Sequence, residues 1–162
     1  MFKARRVIFV LLISIVSLPG FAATVTANLP VNASVNATCI FGNITSVNFG
    51  NYSGVQNDAT GSIEVTCNNG TAYTIGLNAG TGAGATTTNR IMTRAPTPGT
   101  LGYQLFRDAG RTLNWGNTPP TDTVNLTGNG AVQLSTVYGR IPAGTVPATG
   151  SYNDTVLITV TY

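Results

Sequence analysis

Apolar residues in this chain recur at every second position, in short runs cut by Gly, Pro, Asn and Thr. That period fits a strand with one buried face, and no window offers an apolar stripe at helical spacing. "SIEVTC" would bury Ile63, Val65 and Cys67, "AYTIGLN" Tyr73, Ile75 and Leu77, and "LGYQLFR" Leu101, Tyr103 and Leu105. "AVQLSTVYGRI" offers Val132 and Leu134 and, after a shift of phase, Val137 and Ile141. "DTVLITVTY" places Val156, Ile158, Val160 and Tyr162 on one face. Turn clusters separate the runs: 68–71, 108–111, 116–122 and 127–130. Many short strands punctuated in this way predict an all-β sandwich of one domain.

The alternation is longest near the beginning. From Val25 to Ala37 every odd position is apolar, and the even ones are Thr, Asn, Ser or Pro. At roughly 3.3 Å per residue this run would span about 43 Å, longer than a strand of a small domain needs. Pro30 has no N–H for a ladder and suits a junction better than mid-sheet.

Ahead of it, Lys3, Arg5 and Arg6 precede an apolar run, Val7 to Leu18, and Pro19-Gly20 then break it. Residues 1–22 are expected to be a cleaved export signal, with Gly20 and Ala22 as the small residues at the cut. The run is too short for a spanning helix, which needs about 20 residues. Removing it takes away all the excess charge. What remains has five Arg (90, 94, 107, 111, 140), no Lys, and five acids (Asp58, Glu64, Asp108, Asp122, Asp154). The formal +3 therefore belongs to the precursor. No basic footprint for nucleic acid is left, and so neutral a surface favours association.

Cys39 and Cys67 both fall in the exported part. In an oxidising compartment the simplest reading is one disulfide, worth on the order of 3 kcal/mol. A metal site is the rival, with only two Cys and no His to build it.

Catalytic groupings are thin. The absence of His excludes Ser-His and Cys-His nucleophiles. Asp122 and Asp154 could pair as glycosidase carboxylates, but nothing in the sequence brings them together. Asp108, between Arg107 and Arg111, reads as a surface ion partner. Trp115 reads as core or strand end rather than a sugar platform. The stretch 78–99 reads as a long mobile loop, broken at most by a brief edge strand at 90–94. Its "GTGAG" lacks the helix and Lys of a phosphate loop. Seven Asn-Xaa-Ser/Thr triplets follow from an Asn- and Thr-rich composition. No enzyme activity, metal or cofactor is expected.

"LGYQLFRDAGRTLNWGN" (101–117) and "VYGRIPAGTVPATGSYNDTVLITVTY" (137–162) resemble the spore coat protein U domain, the family of Csu-type archaic chaperone–usher pilus subunits. "TCIFGNITSVNFGNY" (38–52) and "VTCNNGTAYTIGLNAG" (65–80) fit the same pattern. The likeness departs in the loop 81–98 and at Thr149, which looks like an inserted residue. It implies an incomplete immunoglobulin-like β-sandwich, completed by donor-strand addition. A periplasmic chaperone would fill the groove first, then the N-terminal extension of the next subunit.

The residues divide accordingly. A missing strand after Tyr162 and a surplus at the other end are complementary, a case of β-strand addition that propagates head to tail. Residues 23–32 are expected to be the donor extension, with Val25, Ala27, Leu29 and Val31 buried in the neighbour. Residues 33–162 would form the sandwich, with Ala33–Ile40 as its own first strand. Val156, Ile158, Val160 and Tyr162 would line the acceptor groove and meet the chaperone. Burying Val25, Leu29 and Val31 at roughly 1.5–3 kcal/mol each, with a smaller Ala27 contribution, gives about 5–10 kcal/mol gross. Ordering the tail offsets part of that.

The implied function is a structural subunit of a surface pilus that supports adhesion and biofilm formation. Neighbouring subunits, the periplasmic chaperone and an outer-membrane usher would be its partners, with no nucleic acid or small-molecule cofactor. A secreted spore-coat or matrix protein of the same fold is the alternative. A sugar-binding adhesin is a third, less favoured because a tip adhesin needs a second domain.

Overall fold

The computed structural model describes residues 20–144 and 146–162, so the expected signal run at Val7–Leu18 lies outside the described residues. The chain divides into two units, one through Ser34 and one from Val35. In the first, residues 20–34 are exposed and carry no strand or helix.

The second unit is built of strands alone. They are β1 (Cys39–Thr45), β2 (Asn57–Cys67), β3 (Ala72–Leu77), β4 (Arg90–Arg94), β5 (Thr100–Phe106), β6 (Val124–Thr127), β7 (Val132–Ile141), β8 (Tyr152–Asn153) and β9 (Ile158–Thr161). One sheet runs in the order β1-β2-β7-β5-β4-β8 and the other β6-β3-β9. Every pairing is antiparallel. Ile63, Val65, Cys67, Val137, Ile141, Tyr103 and Leu105 of the large sheet pack on Tyr73, Ile75 and Leu77 of the small one, with Trp115 among them. The fold is an all-β sandwich, as the alternation predicts.

Three expectations are corrected. The first strand starts at Cys39, not Ala33. The reason lies in its partner: the last tie is Asn68 N–H to the Thr38 carbonyl, after which β2 has ended and the chain turns at Gly70 (φ 82°). Among the described residues, no strand pairs with 35–37 to extend the ladder.

Val132 and Leu134 are 60% and 63% exposed rather than buried. The ladder sets Val132 opposite Thr66 and Leu134 opposite Glu64, the outward row of β2. Because Ile63, Val65 and Cys67 hold the inward row, β7 needs no shift of phase; Ser135, Val137 and Ile141 simply face the core. The strand at 90–94 forms, but within the sheet between β5 and β8 instead of at its edge.

Candidate functional site

The two sides of the sandwich are closed to different degrees. Where β1 joins β2, Cys39 lies directly opposite Cys67 and the two are bonded. β2 and β7 then run paired from Asn57↔Ile141 to Thr66↔Val132. On the other side β9 has β3 alone as its neighbour, over the short register Leu77↔Ile158 to Thr74↔Thr161. Leu157 turns its carbonyl to Asn78 N–H (3.1 Å) and its own N–H to Asn78 Oδ1 (2.8 Å). Alternation along a strand therefore aims the amides and carbonyls of Ile158 and Val160 at the opposite side. Among the described residues no strand stands there.

Beside that free edge lies a groove of about 890 Å³. Its apolar floor includes Ile63, Leu77, Tyr103, Leu105, Val137 and Ile141, the core itself. One wall holds Val156 and Ile158, half-buried. The other is the end of β1 at Ile44 and Thr45 and the stretch 46–52, which leaves the ladder there and carries no strand. Val47, Phe49 and Tyr52 turn in from it onto the core. Gly61 and Gly139 make this approach possible: a Cβ at 61 would stand 2.6 Å from the Thr45 carbonyl, and one at 139 2.6 Å from Val47. Asn57 Nδ2 donates to the Phe49 carbonyl (2.7 Å) and Tyr52 Oη to the Pro142 carbonyl (2.8 Å), which pins the wall.

Of the residues expected to line a groove, Val156 and Ile158 stand in its wall. Val160 packs against the core farther along β9. Tyr162 is 59% exposed, beyond the strand end, beside a separate shallow hollow with Pro119 and Pro120. Val25, Leu29 and Val31 are 97%, 85% and 86% exposed, and Ala27 is exposed too.

Polar groups at the groove hold loops. Asp154 accepts from Thr81 N–H (2.7 Å), Thr81 Oγ1 (2.8 Å), Tyr103 Oη (2.7 Å) and Thr155 N–H (2.7 Å). Burial works against its charge, yet these bonds prevail and hold its carboxyl below the usual range. Burial, with the bond to Asp154 second, raises Tyr103 well above the ordinary phenol range. Asp122 is engaged elsewhere, accepting from Thr118 N–H, so the two acids, which no sequence feature brings together, each serve their own loop.

Arg90 is the residue that sequence reasoning missed. It is fully buried, and no carboxylate lies within ion-pair reach among the described residues. Its guanidinium donates to four carbonyls: Asn78 (2.8 Å), Thr87 (2.7 Å), Leu77 (2.9 Å) and Trp115 (2.7 Å). Burial lowers its pKa, with Tyr103, Asp154 and Asp122 pulling the other way. An Arg in "NRIMTR" reads as a solvated end of a strand, and no sequence signal marks it as core. Asp108 also departs from expectation. It caps its turn through Thr112 and Leu113 N–H, while Arg111 pairs with Asp58 at 3.4 Å.

The Spore Coat Protein U domain matches residues 25–159. The chain belongs to that family. Protein U of Myxococcus xanthus is 36% identical to it over 159 residues, 89% of this chain and 88% of the relative. A solved structure of similar fold comes from a CsuC–CsuE chaperone–tip adhesion subunit pre-assembly complex of the archaic chaperone–usher Csu pili of Acinetobacter baumannii. That likeness has a TM-score of 0.58 at 22% identity and covers 79% of this chain. The chain spans 40% of the length of that solved chain, and the resemblance carries the fold alone.

Proposed function

We propose that this family member is a structural subunit of a surface pilus, exported and assembled by a chaperone–usher route. The observation that carries the proposal is an open groove with an apolar floor beside a strand edge, in a chain that also exposes an alternating apolar segment. Residues 23–32 act as donor, burying Val25, Ala27, Leu29 and Val31 in the groove of the next copy. The periplasmic chaperone occupies the groove beforehand, and an outer-membrane usher passes subunits to the fibre. The assembled fibre supports adhesion and biofilm formation.

The direction of the donor follows from where the chain enters. Cys39, opposite Cys67, lies at the end of the sandwich where β3 begins and β9 finishes. Asn32 to Thr38 can reach roughly 25 Å at most. A donor parallel to β9 would leave the groove at that same end, crowding both neighbours together. An antiparallel donor leaves at the far end and lets each junction repeat as a polar fibre.

The test is Leu29→Asp with Val31→Asp. Two charges forced into an apolar groove cost several kcal/mol each, so fibres should vanish from electron micrographs. The chaperone complex should still form, since the chaperone brings its own strand. Ile158→Asp should abolish both. Normal fibres from the double variant would overturn the donor assignment. The family's spore-coat label favours, as a second reading, a coat or matrix protein with the same groove. Surface protein that never forms thin fibres would support it.

A further inference from the structure

A fully buried guanidinium with no carboxylate partner is strongly destabilising unless dipoles satisfy it closely. Arg90 meets that demand with four carbonyls on three separated stretches of chain. Two belong to Leu77 and Asn78, where β3 ends. Those same two residues seat the start of β9: Leu77 lies opposite Ile158, and Asn78 bonds Leu157 through both its N–H and its side chain. The third stretch, at Trp115, ties β5 to β3, through Trp115 N–H to the Leu105 carbonyl and Leu77 N–H to the Gly116 carbonyl. Arg90 itself stands in β4 of the large sheet. One side chain thus crosses the sandwich and fixes the strand end from which β9 hangs.

We infer that Arg90 is a positioning residue of the acceptor edge, holding β9 in register while the groove beside it is empty. The inference rests on the proposed function for the meaning of "acceptor", though its geometry does not. An edge strand with one partner and a short ladder would otherwise fray, or fold inward over exposed core. A neutral amide could not span this site. The planar fork of Arg reaches the successive carbonyls of Leu77 and Asn78 together with those of Thr87 and Trp115, which Lys cannot match.

The test uses the full chain carrying Leu29→Asp and Val31→Asp, so that it cannot donate to itself, with and without Arg90→Lys. Amide hydrogen exchange should rise at least tenfold at residues 157, 159 and 161, whose amides face β3, in the Lys variant, with β2 and β7 amides unchanged. A uniform rise in all strands would mean a merely structural residue and overturn the inference. Should Arg90→Lys fail to fold, Asn78→Ala, which removes the side-chain tie to Leu157, should give the same selective loosening. No selective change there would overturn it equally. In a second arm a synthetic peptide of residues 23–37 is added, and it should bind at least tenfold more weakly to the Lys variant. Equal binding to both counts against Arg90; no binding to either counts against the donor reading, and the exchange pattern then decides Arg90 alone.

Discussion

The side of the sandwich where β2 meets β7 and the side where β9 stands alone are made of the same residue types, yet they differ in what completes them. On the first, ten residues of β2 face partners in β7, a disulfide ties in β1, and Ile63 and Val65 are inaccessible. On the second, β9 holds four paired residues, and Val156 and Ile158 remain half-buried over an open groove. Alternation gives both strands an apolar face, but only a strand with two neighbours and a covered face is finished. The difference locates where the proposed donor would bind.

Core truncation should expose the contrast most strongly. Ile63→Ala should cost about 2–5 kcal/mol in the isolated chain, as large-to-small changes in closed cores do. Ile158→Ala should cost under half as much there, because much of that side chain already meets solvent, and more once a donor covers it. Chemical denaturation of the chain with and without a peptide of residues 23–37 measures both. Equal costs in the free chain would break the comparison.

The disulfide sharpens the closed side. Replacing Cys39 and Cys67 by Ala should lower stability by about 3 kcal/mol, chiefly by freeing the unfolded chain. Intact mass of the native protein should lie two hydrogens below the reduced form, and two alkylatable thiols would refute the bond.

Acid should act on both sides. Asp58, lowered first by its hydrogen bonds to Arg140, braces the large sheet; Asp154, lowered despite burial, braces the groove wall. Both folded pKa values lie below the ordinary aspartate range, so their stabilisation is fully present above that range and is lost as pH falls through the folded values. With no His in the chain, stability should stay nearly flat from about pH 5 to 7 and decline below about 4. Asp154→Asn should flatten part of that acid limb in a pH series of denaturation midpoints. The smallest effect is expected on the outer face: Leu134→Thr should change stability by under about 0.5 kcal/mol, since Leu134 faces solvent. A loss above about 2 kcal/mol would return it to the core.

Period two is a local property of the chain, and it was legible wherever a strand runs. "SIEVTC", "AYTIGLN" and "LGYQLFR" read as strands with their inward residues identified, and the fold class followed. The cysteine pair was legible for the same reason of economy, two thiols in an exported chain. Which of two alternating faces turns inward is another matter when both carry apolar residues. In β7 the choice between Val132/Leu134 and Val137/Ile141 was made by β2, some seventy positions away, whose inward row was already set.

Local pattern likewise proposed a strand from Ala33, and tertiary structure ended it at Cys39 because β2 turns away there. The groove came from the family resemblance; its walls were not legible in the sequence. That 46–52 leaves the ladder and lies over Gly61 and Gly139 depends on space that only the assembled sheet leaves. Arg90 marks the limit most clearly. A charged side chain becomes core here because four carbonyls from three stretches of the chain converge on it, and no single stretch of sequence records that convergence.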